Sequence, residues 1–151
     1  FTNKLEIEQF VEKALRWFWH NPKPNSHSIP TVNISKGNRK SASGGLWSIN
    51  LPNNDFGKSK ITIIHEIAHV IDAGLRLHDH IEDTGGHGPW FVGIEIELLK
   101  RFTKVPFRQI AKDAKNNKVK FTPRRQVKLL RKRIKDEGLH PNGKKKTRSR
   151  I

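Results

Sequence analysis

The chain has 151 residues, with 30 Lys and Arg against 14 Asp and Glu, a net charge of +16 and no cysteine, methionine or tyrosine. That length makes one modest domain, and 34% hydrophobic residues with a mean hydropathy of −0.71 leave only part of the chain to build a core. No 18-residue apolar run or secretion signal is visible, and zero cysteine excludes a disulfide framework.

The chain begins at Phe1 without a methionine, so the translational start is expected upstream. Charge is unevenly spread. Residues 100–151 hold 20 Lys and Arg against 3 acids, whereas residues 1–99 hold 10 against 11. A near-neutral part followed by a very basic one points to a polyanionic partner, with nucleic acid the first choice.

The first predicted element is a helix from Asn3 to His20. Asn3 and Glu6 have the offset of a capping box, and Leu5, Phe10, Ala14, Leu15 and Phe18 give the buried stripe. Trp17 and Trp19 add aromatic bulk for packing. Pro22, Pro24 and Pro30 make residues 21–30 a loop. Thr31–Ser35 and Leu46–Leu51 alternate as strands, separated by the polar, Gly-rich segment 36–45. The second strand immediately precedes the next helix. It can be read as an edge that pairs with an extended substrate through Trp47, Ser48 and Ile49, or as an ordinary strand with Trp47 in the core.

That next helix is capped by Asp55 or Ser59 and is expected to end near Gly74. It contains His65-Glu66-Ile67-Ala68-His69. Histidines four apart share a helical face, so both imidazoles can reach one metal ion. Glu66, offset by one residue, lies beside the ion, where a carboxylate can take a proton from water. Ile61, Ile63, Ile64, Ile67, Ala68, Val70 and Ile71 make the helix apolar enough to be buried. Polar groups set into such a helix need partners.

A catalytic zinc takes a third protein ligand and keeps one position open. Asp72 and Leu75 stand where a metzincin would need Gly and His, which excludes that family. Glu95 or Glu97 would serve a thermolysin-like arrangement, and His78, Asp79, His80 and Asp83 lie on a polar loop. His87 is the best third ligand. Gly85-Gly86 permits a tight turn before it, and Pro89 suits the first turn of the following helix.

That helix runs from Pro89 to about Phe102, with Phe91, Ile94, Leu98 and Phe102 inward. Pro106–Lys115 is a short helix, Val119–Thr122 an extended piece, and Thr122-Pro123 opens a helix to about Glu137 that stops at Gly138. Its stripe is thin: Val127, Leu130 and Ile134. Arg124, Arg125, Lys128, Arg131, Lys132 and Lys135 cover the rest, and no acid appears before Asp136. The lack of large aromatics argues against membrane insertion. The charge favours phosphate contact without base readout. Gln109, Asn116 and Asn117 are surface amides that could touch bases, and a helix-turn-helix within 106–136 is a weaker option. The tail 139–151, with Lys144, Lys145 and Lys146, reads as disordered.

With His65-Glu66-Ile67-Ala68-His69 and Gly86-His87-Gly88-Pro89-Trp90-Phe91 in place, the chain resembles the SprT-like (Spartan-type) zinc metalloprotease family. Gly44-Gly45-Leu46-Trp47-Ser48-Ile49-Asn50-Leu51 is similar to the family's strand before the active-site helix, and the likeness covers about residues 3–103. It implies Zn²⁺ on His65, His69 and His87, Glu66 as catalytic base, and cleavage of proteins bound or crosslinked to DNA. Two departures stand out. Many relatives carry a cysteine-based zinc ribbon, which this chain lacks. Without tyrosine, the oxyanion falls to the metal or to a histidine such as His27, His78 or His80.

The expectation is therefore an α+β, zincin-like minimal metalloprotease domain: a helix, a small antiparallel sheet, the HExxH helix and a following helix. The protease domain would span 1–104, a basic helical DNA-binding extension 105–138, and a basic tail 139–151. The chain would act inside the cell on DNA-bound proteins, and so compact a layout suits a phage or mobile element. The first rival is a non-enzymatic DNA-binding protein with a structural zinc, closed by Asp79, His80 or Asp83. The second is a protease whose basic part binds RNA or a polyanionic protein.

Overall fold

The computed structural model describes residues 1–20, 29–35, 40–82, 86–141 and 143–144. Helix α1 (Lys4–Trp19) starts as its sequence predicts, with the Asn3 side chain accepting from the Glu6 N–H at 2.9 Å. The reciprocal half of the capping box slips one residue: the Glu6 carboxylate accepts from the N–H and hydroxyl of Thr2 instead. Ile7, Val11, Ala14 and Phe18 are fully buried, whereas Leu5 is 63% exposed and leaves the predicted stripe. Leu5 sits in the first turn, on a face that the described residues leave open.

Three short strands follow: β1 (Thr31–Ile34), β2 (Ser43–Gly44) and β3 (Ser48–Leu51), in spatial order β1-β3-β2. The sheet is mixed, not antiparallel as expected, because β1 pairs β3 in parallel while β2 pairs it antiparallel. A parallel pair needs a crossover of about a dozen residues, and the segment between these strands is long enough to supply it. The strand expected as the substrate edge, β3, is therefore central. Ile49 and Leu51 point into the core, and the amide of Asn50 bridges Asn33 and Ser43 on its two neighbours.

Helix α2 (Lys60–Leu77) is capped by Ser59, whose hydroxyl accepts from the Thr62 N–H. It continues past Gly74 because Leu75 is fully buried and Arg76 pairs with the buried Asp72 one turn back at 2.8 Å. Helix α3 (Pro89–Phe102) packs along it, with Phe91, Ile94 and Leu98 in one core shared with α1 and the sheet.

The basic C-terminal part is not an appended arm. Helix α4 (Phe107–Asn116) buries no residue. Helix α5 (Arg124–Glu137) places Leu130 and Ile134 in the same core, and Thr122 leads into it with a bond to the Pro89 carbonyl. The linker 117–123 is longer than the 3–4 residues of a helix-turn-helix, and Val119–Thr122 forms no strand. Gly138 closes α5 in the left-handed conformation. At the start of the tail, β4 (Leu139–His140) pairs antiparallel with β5 (Gly143–Lys144), and residues 145–151 lie outside the described residues. No helix of the described residues is long and apolar enough to cross a membrane.

Candidate metal centre

His65 and His69 stand one turn apart on α2, with ring centroids 4.9 Å apart. His87, just before α3, turns its ring to within 5.3 Å of His65 and 4.6 Å of His69. The left-handed turn is made by His87 itself (φ 59°) and not by Gly86. A β-carbon there costs roughly 1–2 kcal/mol, and such strain persists where surrounding structure imposes it.

One ligand atom from each ring lies within 4.8 Å of the other two, and His65 Nε2 is 3.4 Å from His87 Nε2. A tetrahedral ion bonded at about 2.0–2.1 Å holds its ligands about 3.3–3.4 Å apart, so the His65–His87 pair already has that spacing. Three imidazoles are a donor set that suits zinc. His65, His69 and His87 could thus hold a metal ion, and among the described residues no fourth His, Asp or Glu joins the group.

Two α3 side chains hold the rings. His87, Phe91 and Glu95 follow at intervals of four, so α3 and its entrance aim one face at α2. The Phe91 ring lies 4.3–5.1 Å from all three imidazoles, filling the space behind them. One turn further, a Glu95 carboxylate oxygen is 3.0 Å from His65 Nδ1. Neither Glu95 nor Glu97 is in the ligand group. Glu97 instead pairs with Arg124 at 3.0 Å, fastening α3 to α5.

Glu66 is only 4% exposed and lines, with His65, a cleft of about 410 Å³. The chain leading into β2 (Ser41 and Ala42) forms one wall, and Phe56, Ile61 and Thr62 form another. Ile61, expected in the core, is 62% exposed at this mouth, beside Phe56 at 58%. Strand β2, unpredicted from the sequence, lies directly on Glu66. A β-carbon at Gly44 would stand 2.6 Å from the Glu66 carbonyl oxygen and 3.0 Å from its Oε2. Only glycine lets the strand approach the carboxylate so closely.

Trp47, Ser48 and Ile49 do not form the cleft wall: Trp47 is 66% exposed, Ser48 pairs with Thr31, and Ile49 is in the core. His78 and His80 lie beyond the far end of α2, about 13 Å further along its axis than His69. His80 packs there near Arg133 and so is no oxyanion partner. Asp79 is likewise outside the ligand group, and His27 and Asp83 fall outside the described residues.

Electrostatics separate the α2 pair. The hydrogen bond that His65 donates to the Glu95 carboxylate raises the His65 pKa, whereas burial first, then the neighbouring imidazoles, lowers that of His69 to about 4.

The basic residues also divide. Arg125, Lys128, Lys132 and Lys135 are exposed in one stripe, and the first three flank the exposed Leu129 in a shallow groove. Arg124 is tied to Glu97 and lies 5.0 Å over Phe107. Arg131 stacks 3.7 Å over Trp17 and donates to its carbonyl at 3.0 Å. These two serve the fold. Gln109 and Asn117 are likewise engaged, both with Asp113. Lys144 is on β5, while Lys145 and Lys146 lie outside the described residues.

No protein-family model, curated protein or solved structure matches this chain.

Proposed function

We propose that the chain is a zinc-dependent endopeptidase, zincin-like in fold and SprT-like in its motifs, that binds DNA and cleaves proteins bound or crosslinked to it. One observation carries the reading: three imidazoles converge within reach of one ion, the His65–His87 pair already at tetrahedral spacing, and His65 lines an open cleft together with the buried Glu66. A purely structural zinc would take a fourth protein ligand and would have no use for that glutamate.

His65, His69 and His87 would hold the ion. Zinc bound there polarises a carbonyl and acidifies water. Glu66 takes the proton from the attacking water and returns it to the departing amine, so the peptide is split without net proton change. Its close cover by β2 keeps the carboxylate at one side of the cleft, and Phe56 and Ile61 offer an apolar rest for a substrate side chain. In place of β3, the chain entering β2 is the backbone best set to lie alongside an extended peptide. The stripe Arg125, Lys128, Lys132 and Lys135 would contact phosphates, raising the local concentration of DNA-bound substrates.

The test is cleavage of a histone by the zinc-loaded chain, with and without single- or double-stranded DNA. Cleavage that DNA stimulates, and that Glu66→Gln lowers by about 10²–10⁴-fold while zinc is retained, is expected. Tight DNA binding and one bound zinc without cleavage under any condition would favour a structural metal.

A further inference from the structure

We infer that Glu95 is a positioning residue for the metal: it fixes His65 as the Nδ1–H tautomer and so leaves Nε2 as the atom that binds the ion. The inference rests on His65, His69 and His87 being the ligand set, but not on proteolysis.

A neutral imidazole carries one proton, and which nitrogen bears it is set by what the other atoms of the site accept. A carboxylate can only accept. With Glu95 3.0 Å from Nδ1, the proton belongs on Nδ1. The lone pair is then on Nε2, the nitrogen that stands 3.4 Å from His87 Nε2 in the converging group. One orientation of the ring satisfies both contacts, with Nδ1 on the Glu95 carboxylate and Nε2 in the converging group. Glu95 also acts on the ring from the side opposite the ligands, so it cannot itself fill the metal's coordination sphere in this arrangement.

The placement is specific to one turn of α3. Phe91, four residues earlier, packs against all three rings and limits their tilt, while Glu95 sets the rotation of His65 about its own axis. The Glu95 side chain is 20% exposed and that of His65 36%, so water competes only partly for the bond. Outer carboxylates of this kind typically change metal affinity by about 10–100-fold when removed.

The experiment measures zinc affinity of the whole chain by competition with a chelator, for wild type, Glu95→Ala and Glu95→Gln. Folding of each metal-free variant is checked by its melting temperature. Proton–nitrogen correlation spectra of the zinc-loaded forms identify the metal-bound nitrogen of His65. The expected result is a 10–100-fold rise in the zinc dissociation constant for Glu95→Ala. For Glu95→Gln, whose carbonyl oxygen still accepts, much of the affinity returns. Wild type and Glu95→Gln should show a protonated Nδ1 and a zinc-bound Nε2, and Glu95→Ala should lose the ordered Nδ1 proton signal.

Unchanged affinity in Glu95→Ala would overturn the inference. So would zinc found on Nδ1 of His65, or an equal loss in Glu95→Ala and Glu95→Gln with a changed number of ligands, which would make Glu95 a ligand. A chain that binds zinc as described yet cleaves nothing would sink the protease reading and leave this one standing.

Discussion

The metal face and the basic face of this molecule treat their charged residues in opposite ways. On the α2/α3 face every polar residue of the motif points to one place: three imidazoles meet, Glu66 stands beside them and Glu95 stands behind one. On α5 the cations disperse. Arg131 stacks on Trp17 and Arg124 pairs with Glu97, while Arg125, Lys128, Lys132 and Lys135 stay in water. Spacing along a helix can specify a metal site, because one ion defines the point to be reached. It cannot specify which cations face a partner, since a long basic side chain serves packing equally well.

The contrast breaks most sharply if α5 can be removed without harm. Ile134→Ala should destabilise the whole domain by about 2–5 kcal/mol, because the residue is buried in the common core. A melting curve that leaves the zinc site untouched would make α5 an independent arm after all. Gly44→Ala addresses the other face. The added methyl meets Glu66 at its carbonyl and carboxylate, and a displacement of about 1 Å at a catalytic group costs about 10²-fold in rate. Histone cleavage should fall by that order while zinc affinity holds, and unaltered cleavage would mean β2 yields freely.

Acid should strip zinc in two stages from the α2 pair. His65, with its raised pKa, begins to compete for protons above pH 6.5, contributing about tenfold loss of affinity per pH unit below its pKa. His69 adds its proton only near pH 4. Zinc affinity measured against pH for wild type and Glu95→Gln should show the first stage move to lower pH in the variant, since the charge that favours His65 protonation is gone. The smallest effects lie on α5. Lys128→Ala should lower the salt dependence of DNA binding by about one unit of slope without changing stability. Arg131→Ala should do the reverse, losing about 0.5–2 kcal/mol of stability from its stacking on Trp17 and little of the slope.

The helices were legible because their ends carry local signals. Asn3, Ser59, Pro89 and Gly138 each act within a few residues of themselves. The convergence of the three histidines was legible for a similar reason, since His65 and His69 share one face and His87 sits at a helix entrance. What escaped was tertiary. Parallel pairing of β1 with β3 leaves no mark in either strand. The two-residue β2 is too short for an alternating pattern, although Gly44 was its one trace. Ile61 has the chemistry of a core residue and lies at the cleft mouth, and only the neighbours of α2 decide which. Arg131 looks like any other cation until Trp17, far away in the chain, is brought beneath it.

Stepwise reconstitution tests the central claim most directly: zinc is titrated into the metal-free chain while bound metal and histone cleavage are read on the same samples with DNA present. The account predicts that both rise together and saturate at one ion per chain. Glu66→Gln should bind the same ion and cleave about 10²–10⁴-fold more slowly. Full occupancy of His65, His69 and His87 without cleavage, or cleavage by Glu66→Gln at the wild-type rate, would contradict it.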